Sequence, residues 1–229
     1  MNLSYEAFVA EFDTLIGDEW TCIFDLYHEK LNLKNRNIAT KKFKTIIESV
    51  FKLSHTKGFK AMTLRDLSQE SGISMGGLYK YFANKNQIAE MIHATMIHMA
   101  STCIKTKENQ HQDPVFELNE LLARHIYISE RLKKWFYFVF MECKSLDREL
   151  LATIIASEQF MENEILKRIL GANQQNLSQC TNPDFVSAML KVMLQEWYLK
   201  SWKYQQKNIN ADQYVANLLL AVYQLIQVK

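Results

Sequence analysis

Residues 62–85 read Met-Thr-Leu-Arg-Asp-Leu-Ser-Gln-Glu-Ser-Gly-Ile-Ser-Met-Gly-Gly-Leu-Tyr-Lys-Tyr-Phe-Ala-Asn-Lys, and no other stretch constrains the fold as tightly. They encode two short helices joined by a tight turn. Thr63 is suited to cap the first, since its hydroxyl can accept an orphan amide of the opening turn. Leu64 and Leu67 supply that helix with its apolar stripe. Gly72 can take the left-handed conformation that ends it, and Ser74 caps the next. Leu78 and Phe82, four apart, turn inward together, leaving Met75, Gly77, Tyr79, Lys80 and Tyr81 to face elsewhere. A helix-turn-helix that inserts its second helix into the DNA major groove needs this layout.

The rest of the chain is consistent with long helices. Its apolar fraction is 48%, enough for a substantial core, and only two prolines and six glycines interrupt it. No run of alternating β-branched residues suggests a strand, so the fold class expected is all-α. Net charge is only +2, but residues 1–29 carry −7, residues 30–85 carry +9 and residues 86–229 are balanced. The excess positive charge therefore coincides with the helix-turn-helix, as a phosphate-facing surface requires.

The segment resembles the TetR family of one-component transcriptional regulators. The matching residues are Ile46 to Phe51, Gly58-Phe59, Thr63-Leu64, Asp66-Leu67, Ser71 to Ser74, Gly76, Leu78-Tyr79, Tyr81-Phe82 and Lys85, in order and without a gap. The resemblance implies a three-helix DNA-binding domain followed by a helical domain that dimerises and binds a small effector. It puts Thr63, Tyr79, Tyr81 and Lys85 on phosphate-contact positions, and Met75, Gly77 and Lys80 on groove-facing ones. Tyr81 stands where histidine is more common. TetR-like chains start their first helix near the N-terminus, so the segment ahead of the motif departs from the family pattern.

Chemistry gives each of these residues a task. Lys80 can donate to guanine O6 and N7, and Met75 can pack on a thymine methyl. Gly76 and Gly77 lack Cβ atoms and would let the helix approach the groove floor. Tyr79, Tyr81, Thr63 and Ser74 carry hydroxyls suited to phosphate oxygens, the alternative for the two tyrosines being edges of the core. Lys85 with the helix start behind it forms an anion site, and Arg65 can clamp the backbone. Lys34, Arg36, Lys41, Lys42 and Lys44 can track phosphates or reach the minor groove, or simply solubilise the helix they open.

Three regions follow: residues 1–37, an acidic amphipathic helical extension and linker; 38–85, the DNA-binding domain; and 86–229, an effector-binding and dimerisation domain. In the first, Phe8, Phe12, Leu15 and Ile16 share one helical face, Gly17 is a stop, and Asp18 caps a second helix. The extension is read three ways: packing on the chain's own core, a protein-interaction module, or a DNA mimic competing for the basic surface. Thr40 is expected to cap the next helix. Further on, Pro114 opens a helix, residues 131–144 form an aromatic one, and Asp147 caps a long one stopped by Gly171. Helices over about 183–206 and 211–228 close the chain, the last begun by Asn210 and Gln213 in a capping box.

The aromatic and methionine-rich set of Trp135, Phe138, Met141, Phe160, Trp197 and Trp202 suits a large, mostly apolar effector, with Arg124 and His125 as polar anchors. Ordinary core packing explains the same composition. The apolar faces of the last two helices (Phe185, Met189, Val192, Met193 and Leu199; Tyr214, Leu218, Leu219, Val222 and Leu225) fit a four-helix interface between two copies, the alternative being a monomer core.

No nucleophile–base pairing or phosphate-cradling glycine loop is visible, so no enzyme and no cofactor are expected. Glu90-x-x-His93 and Glu108-x-x-His111 have a di-iron spacing but lack the further glutamates such a centre needs. Cys22, Cys103, Cys143 and Cys180 match no metal or redox spacing and are expected reduced. The N-terminus lacks the basic region of a signal peptide, and the longest apolar run, Trp135–Met141, is too short for a bilayer, so a cytoplasmic protein without a membrane partner is expected. The function expected is a homodimeric regulator, by the resemblance a ligand-responsive repressor, on a palindromic duplex operator. The alternative is a helical adaptor whose output is a protein bound through the extension.

Overall fold

A computed structural model describes residues 3–105, 113–142 and 146–229. Among them are twelve α-helices: α1 (Tyr5–Leu15), α2 (Glu19–Tyr27), α3 (Arg36–Lys57), α4 (Leu64–Ser71), α5 (Met75–Tyr79), α6 (Lys85–Lys105), α7 (Pro114–Arg131), α8 (Lys133–Glu142), α9 (Arg148–Gln174), α10 (Pro183–Leu199), α11 (Ser201–Gln206) and α12 (Ala211–Ile226). The all-α expectation is met. None of the described helices is long and apolar enough to cross a membrane.

The chain divides into two compact units, along lines different from the sequence boundaries at 37 and 85. One comprises Asp13–Met99 and Lys134–Ile154; the other comprises Met1–Phe12, Ala100–Lys133 and Ile155–Lys229. The acidic extension is thus shared out, and residue 37 falls inside α3.

In the first unit α2 packs on α3, α3 on α4 and α4 on α5. The core is built from Phe43, Ile46, Ile47 and Val50 of α3, Leu67 of α4, Leu78 of α5 and Ile88 and Ile92 of α6, all fully buried. Burying each such side chain contributes about 1.5–3 kcal/mol. Asp18 caps α2 by accepting from the amides of Trp20 and Thr21. The cap of α3 is Asn35, which accepts from the Ile38 amide, and not Thr40. Thr40 lies inside the first turns and donates back to the Arg36 carbonyl, a bond open to a helical threonine. α8 completes this core: Trp135 and Phe138 pack their rings on Phe51, Phe138 on Phe59, and Trp20 on Trp135.

The second unit is organised around α7, which packs on α10 and α12. Asp113 caps α7 and Pro114 occupies its first turn. Phe8 and Phe12 of the N-terminal helix are buried, with Phe8 against Tyr127 and the Arg131 guanidinium over Phe12. Gly171 does not stop α9, which runs on to Gln174. Its value is closeness: a Cβ there would stand 3.3 Å from the Pro114 ring. The helix expected over 183–206 breaks at Lys200 into α10 and α11. Cys22, Cys103 and Cys180 are buried and form no disulfide among the described residues; Cys143 lies outside them.

Candidate nucleic-acid interface

The turn between α4 and α5 is built by its caps. Thr63 and Asp66 form a full capping box: the Asp66 amide donates to Thr63 Oγ1, and Asp66 Oδ2 accepts from the Thr63 amide at 2.8 Å. Thr63 Oγ1 also donates to Asp66 Oδ2 at 2.7 Å, and Lys57 Nζ pairs with the same oxygen at 2.8 Å. Lys57 and Thr63 hold the Asp66 carboxyl well below the usual carboxylate range. Gly72 takes φ +66°, where a side chain would be strained. Ser74 accepts from the Gly77 amide to start α5.

These caps aim α5. Leu78 and Phe82 are buried, while Gly76, Lys80 and Tyr79, the last 55% exposed, face solvent and Met75 is half-buried. Arg65, Lys41 and Lys80 are exposed, Lys42 half-buried, and none of the four is ion-paired among the described residues. Other cations of the region are engaged: Arg36 pairs with Asp25 at 2.8 Å, and Lys52 with Glu70.

Gly77, Tyr81 and Lys85 are engaged inside their own unit. A Cβ on Gly77 would meet Ile73 Cγ2 at 2.9 Å, so its missing side chain serves packing inside the motif; at Gly76 nothing lies within 4 Å. Tyr81 is half-buried, its ring edge-on to Phe43 at 5.3 Å, and burial raises its phenol pKa. Lys85 is turned into its own unit: its ammonium donates to the carbonyls of Phe59, Lys60 and Met62 at 2.7–3.1 Å and lies over the Phe59 ring. Burial lowers its pKa below the ordinary lysine value. It ties the segment after α3 to the start of α6, which leaves no ammonium donor spare for a phosphate.

The effector-site candidates are divided between the two units. Trp135 and Phe138 belong to the core of the motif-bearing unit, in which Met141 is exposed. In the other unit Trp197 is buried against Tyr204 and Tyr214, while Phe160 and Trp202 are exposed. Arg124, 2% exposed, is consumed as well. It makes a two-pronged pair with Glu11 at 2.9 and 3.1 Å, pairs with Glu120 at 3.2 Å, and donates to the Cys103 carbonyl. His125 is buried, and burial together with the Lys191 charge holds its pKa well below 6.5. Glu90 is exposed while His93 is buried, and Glu108 and His111 lie outside the described residues.

Sequence reasoning passed over Lys191 and Glu158, which pair at 2.8 Å. Both read as helix-surface charges, because no spacing rule links residues on separate helices.

Residues 46–92 match the family model described as bacterial regulatory proteins, tetR family. No curated protein matches the chain in sequence. Among solved structures, AibR in complex with isovaleryl coenzyme A and operator DNA is similar at TM-score 0.69 and 17% identity, over 82% of this chain and 100% of that one. A regulatory protein in the tetR family from Rhodococcus RHA1 is similar at TM-score 0.69 and 15% identity, over 82% and 98%. The fatty acid degradation regulator FadR from Bacillus halodurans is similar at TM-score 0.57 and 19% identity, over 81% and 94%. At these identities the likeness is one of fold.

Proposed function

We propose that this chain, whose residues 46–92 match the tetR family of bacterial regulatory proteins, is a homodimeric, ligand-responsive repressor of transcription binding a palindromic operator. The observation that carries this reading is the capped α4–α5 turn, which leaves Tyr79 of α5 and Lys80 at its C-cap exposed, with Arg65 and Lys41, neither ion-paired among the described residues, on the neighbouring helices. Lys80 and Met75 are assigned to base edges. Thr63, Ser74, Tyr79, Tyr81, Arg65, Lys41 and Lys42 are assigned to phosphates. Lys85 is assigned to holding the motif together.

Two copies are needed because one recognition helix of five residues reads too few bases for useful affinity. Phe185, Met189 and Val192, at helical spacing on α10, are all exposed, as are Leu220 and Tyr223 on α12. Pairing these faces across a two-fold axis gives a four-helix interface. Leu218 and Val222, expected on that face, point into the unit's own core. Paired recognition helices would then sit about 34–36 Å apart, one turn of the duplex. An effector bound in the second unit would release DNA by favouring a conformer with a different spacing. AibR, solved in complex with isovaleryl coenzyme A and operator DNA, is a protein of this fold that takes both a small ligand and DNA.

The adaptor reading has less support. The aromatic stripe a partner would grip is already covered, since Phe8, Phe12, Ile23 and Phe24 are buried by the chain itself. The mimic reading weakens too, because Glu11 is committed to Arg124. A mobility-shift titration with duplex from upstream of the chain's own gene tests the proposal. A salt-sensitive, sequence-selective shift is expected, with Val192→Glu lowering both dimer content and affinity. A protein that binds every duplex equally overturns it.

A further inference from the structure

The second unit contains a polar seam that the regulator reading leaves unused. Lys191, Gln195 and Tyr198 lie at i, i+4 and i+7 on α10 and so share one face. Glu158 comes from α9, and His125, on α7, carries the charge influence of Lys191. Glu158 Oε2 pairs with Lys191 Nζ at 2.8 Å and accepts from Gln195 Nε2 at 2.6 Å. The seam is asymmetric. The Lys191 side chain is 6% exposed, whereas that of Glu158 is 41% exposed.

The cation is therefore built into the core, and its counter-charge reaches it from the rim. Burying an ammonium costs several kcal/mol unless a partner offsets it. Lys191 has three donors, yet Glu158 is its one acceptor among the described residues. His125 cannot supply a counter-charge, and burial with the nearby Glu158 charge keeps the Tyr198 phenol protonated. A deeply fixed, under-satisfied cation closed by one accessible carboxylate has the makings of a receptor holding its own surrogate ligand.

We propose that Lys191 and Gln195 form the subsite for the carboxylate of the effector, a small organic monocarboxylate, and that Glu158 fills this subsite until the effector displaces it. The inference rests on the ligand-responsive reading above. What Glu158 does at this seam, an exogenous carboxylate can do with the same two partners. A neutral amide or alcohol of equal size brings no charge to replace it.

The test uses the full chain and titrates straight-chain carboxylates from acetate to dodecanoate, with their primary amides, by calorimetry and thermal shift. At least one carboxylate is expected to bind, with its amide about ten-fold weaker or worse, the equivalent of one modest charge contact. Glu158→Gln, which removes the competing charge, is expected to tighten that carboxylate about ten-fold, and Lys191→Met to weaken it by at least as much. A purely structural ion pair predicts no such opposition of sign. If Lys191→Met fails to fold, the Glu158→Gln result decides alone. Failure of every carboxylate to bind, equal binding of the amide, or no tightening in Glu158→Gln overturns the proposal. In each of those results an intact operator shift leaves the regulator reading standing, whereas an operator shift that no ligand relieves counts against ligand response itself.

Discussion

The two units treat charge in opposite ways. In the motif-bearing unit Lys41, Lys80 and Arg65 stand at the surface, with no ion-pair partner among the described residues. In the other, Arg124, Arg168 and Lys191 are buried and each meets a carboxylate. Unpaired surface cations cost little to keep in water and are free to meet phosphate. Buried cations are held for what lies inside. A charge's use is decided by its surroundings: Lys85 is turned into its own unit, whereas Lys80, five residues earlier in the same motif, stands exposed.

Substitutions can break this contrast. Arg124→Ala has the largest expected effect: it strands Glu11 and Glu120, and urea denaturation should show a loss of about 3–5 kcal/mol. A loss below about 1 kcal/mol would mean that the buried pair is not holding the N-terminal helix. The two glycines of α5 come next and should differ in sign. Gly77→Ala forces its Cβ against Ile73 and should destabilise by about 1–3 kcal/mol. Gly76→Ala meets nothing and should stabilise by about 0.5–1 kcal/mol through the helix propensity of alanine.

Lys85→Met should cost about 1–3 kcal/mol of stability by leaving three carbonyls without their donor. A phosphate clamp would instead lose affinity with its melting curve unchanged. Lys80→Ala should leave melting within about 0.5 kcal/mol of the wild type but relax base preference by about 1–3 kcal/mol at one position of each half-site. Lys41→Ala should lower affinity for all duplexes alike and reduce the salt slope by about 1.

The smallest effect is a pH dependence. Because the folded-state pKa of His125 lies below about 6.5, the unfolded chain takes up this proton first as pH falls. The stabilisation from a neutral His125 is therefore complete above about pH 6.5 and lost as pH drops below it. The urea midpoint should fall between pH 7.5 and 5.5, and fall less in His125→Gln.

How much of this was legible in the sequence follows from the range of the interactions. Caps and helix faces are local: Thr63, Gly72, Ser74, Asp18 and the Asn210–Gln213 box all take their expected positions because each needs only neighbours three or four residues away. The start of α3 was missed because Asn35 and Thr40 are both competent caps, and local chemistry does not choose between them. For the aromatic set, helical spacing says that a residue is buried, not against what. Trp135 and Phe138 turn out to complete the core around Phe51 and Phe59. Arg124 has its partner Glu11 at a separation of 113 residues, beyond any local pattern.

The central claim, that α5 reads duplex DNA from an exposed cationic face, is tested most directly by one measurement. The affinity of the full chain for its own upstream duplex and for a scrambled duplex should be followed across a salt series, for wild type and Lys80→Ala. The account predicts a steep fall with salt on both duplexes, a preference of about 10³ or more for the upstream sequence, and loss of much of that preference in Lys80→Ala. Equal affinity for the two duplexes, or a preference untouched by Lys80→Ala, would contradict it.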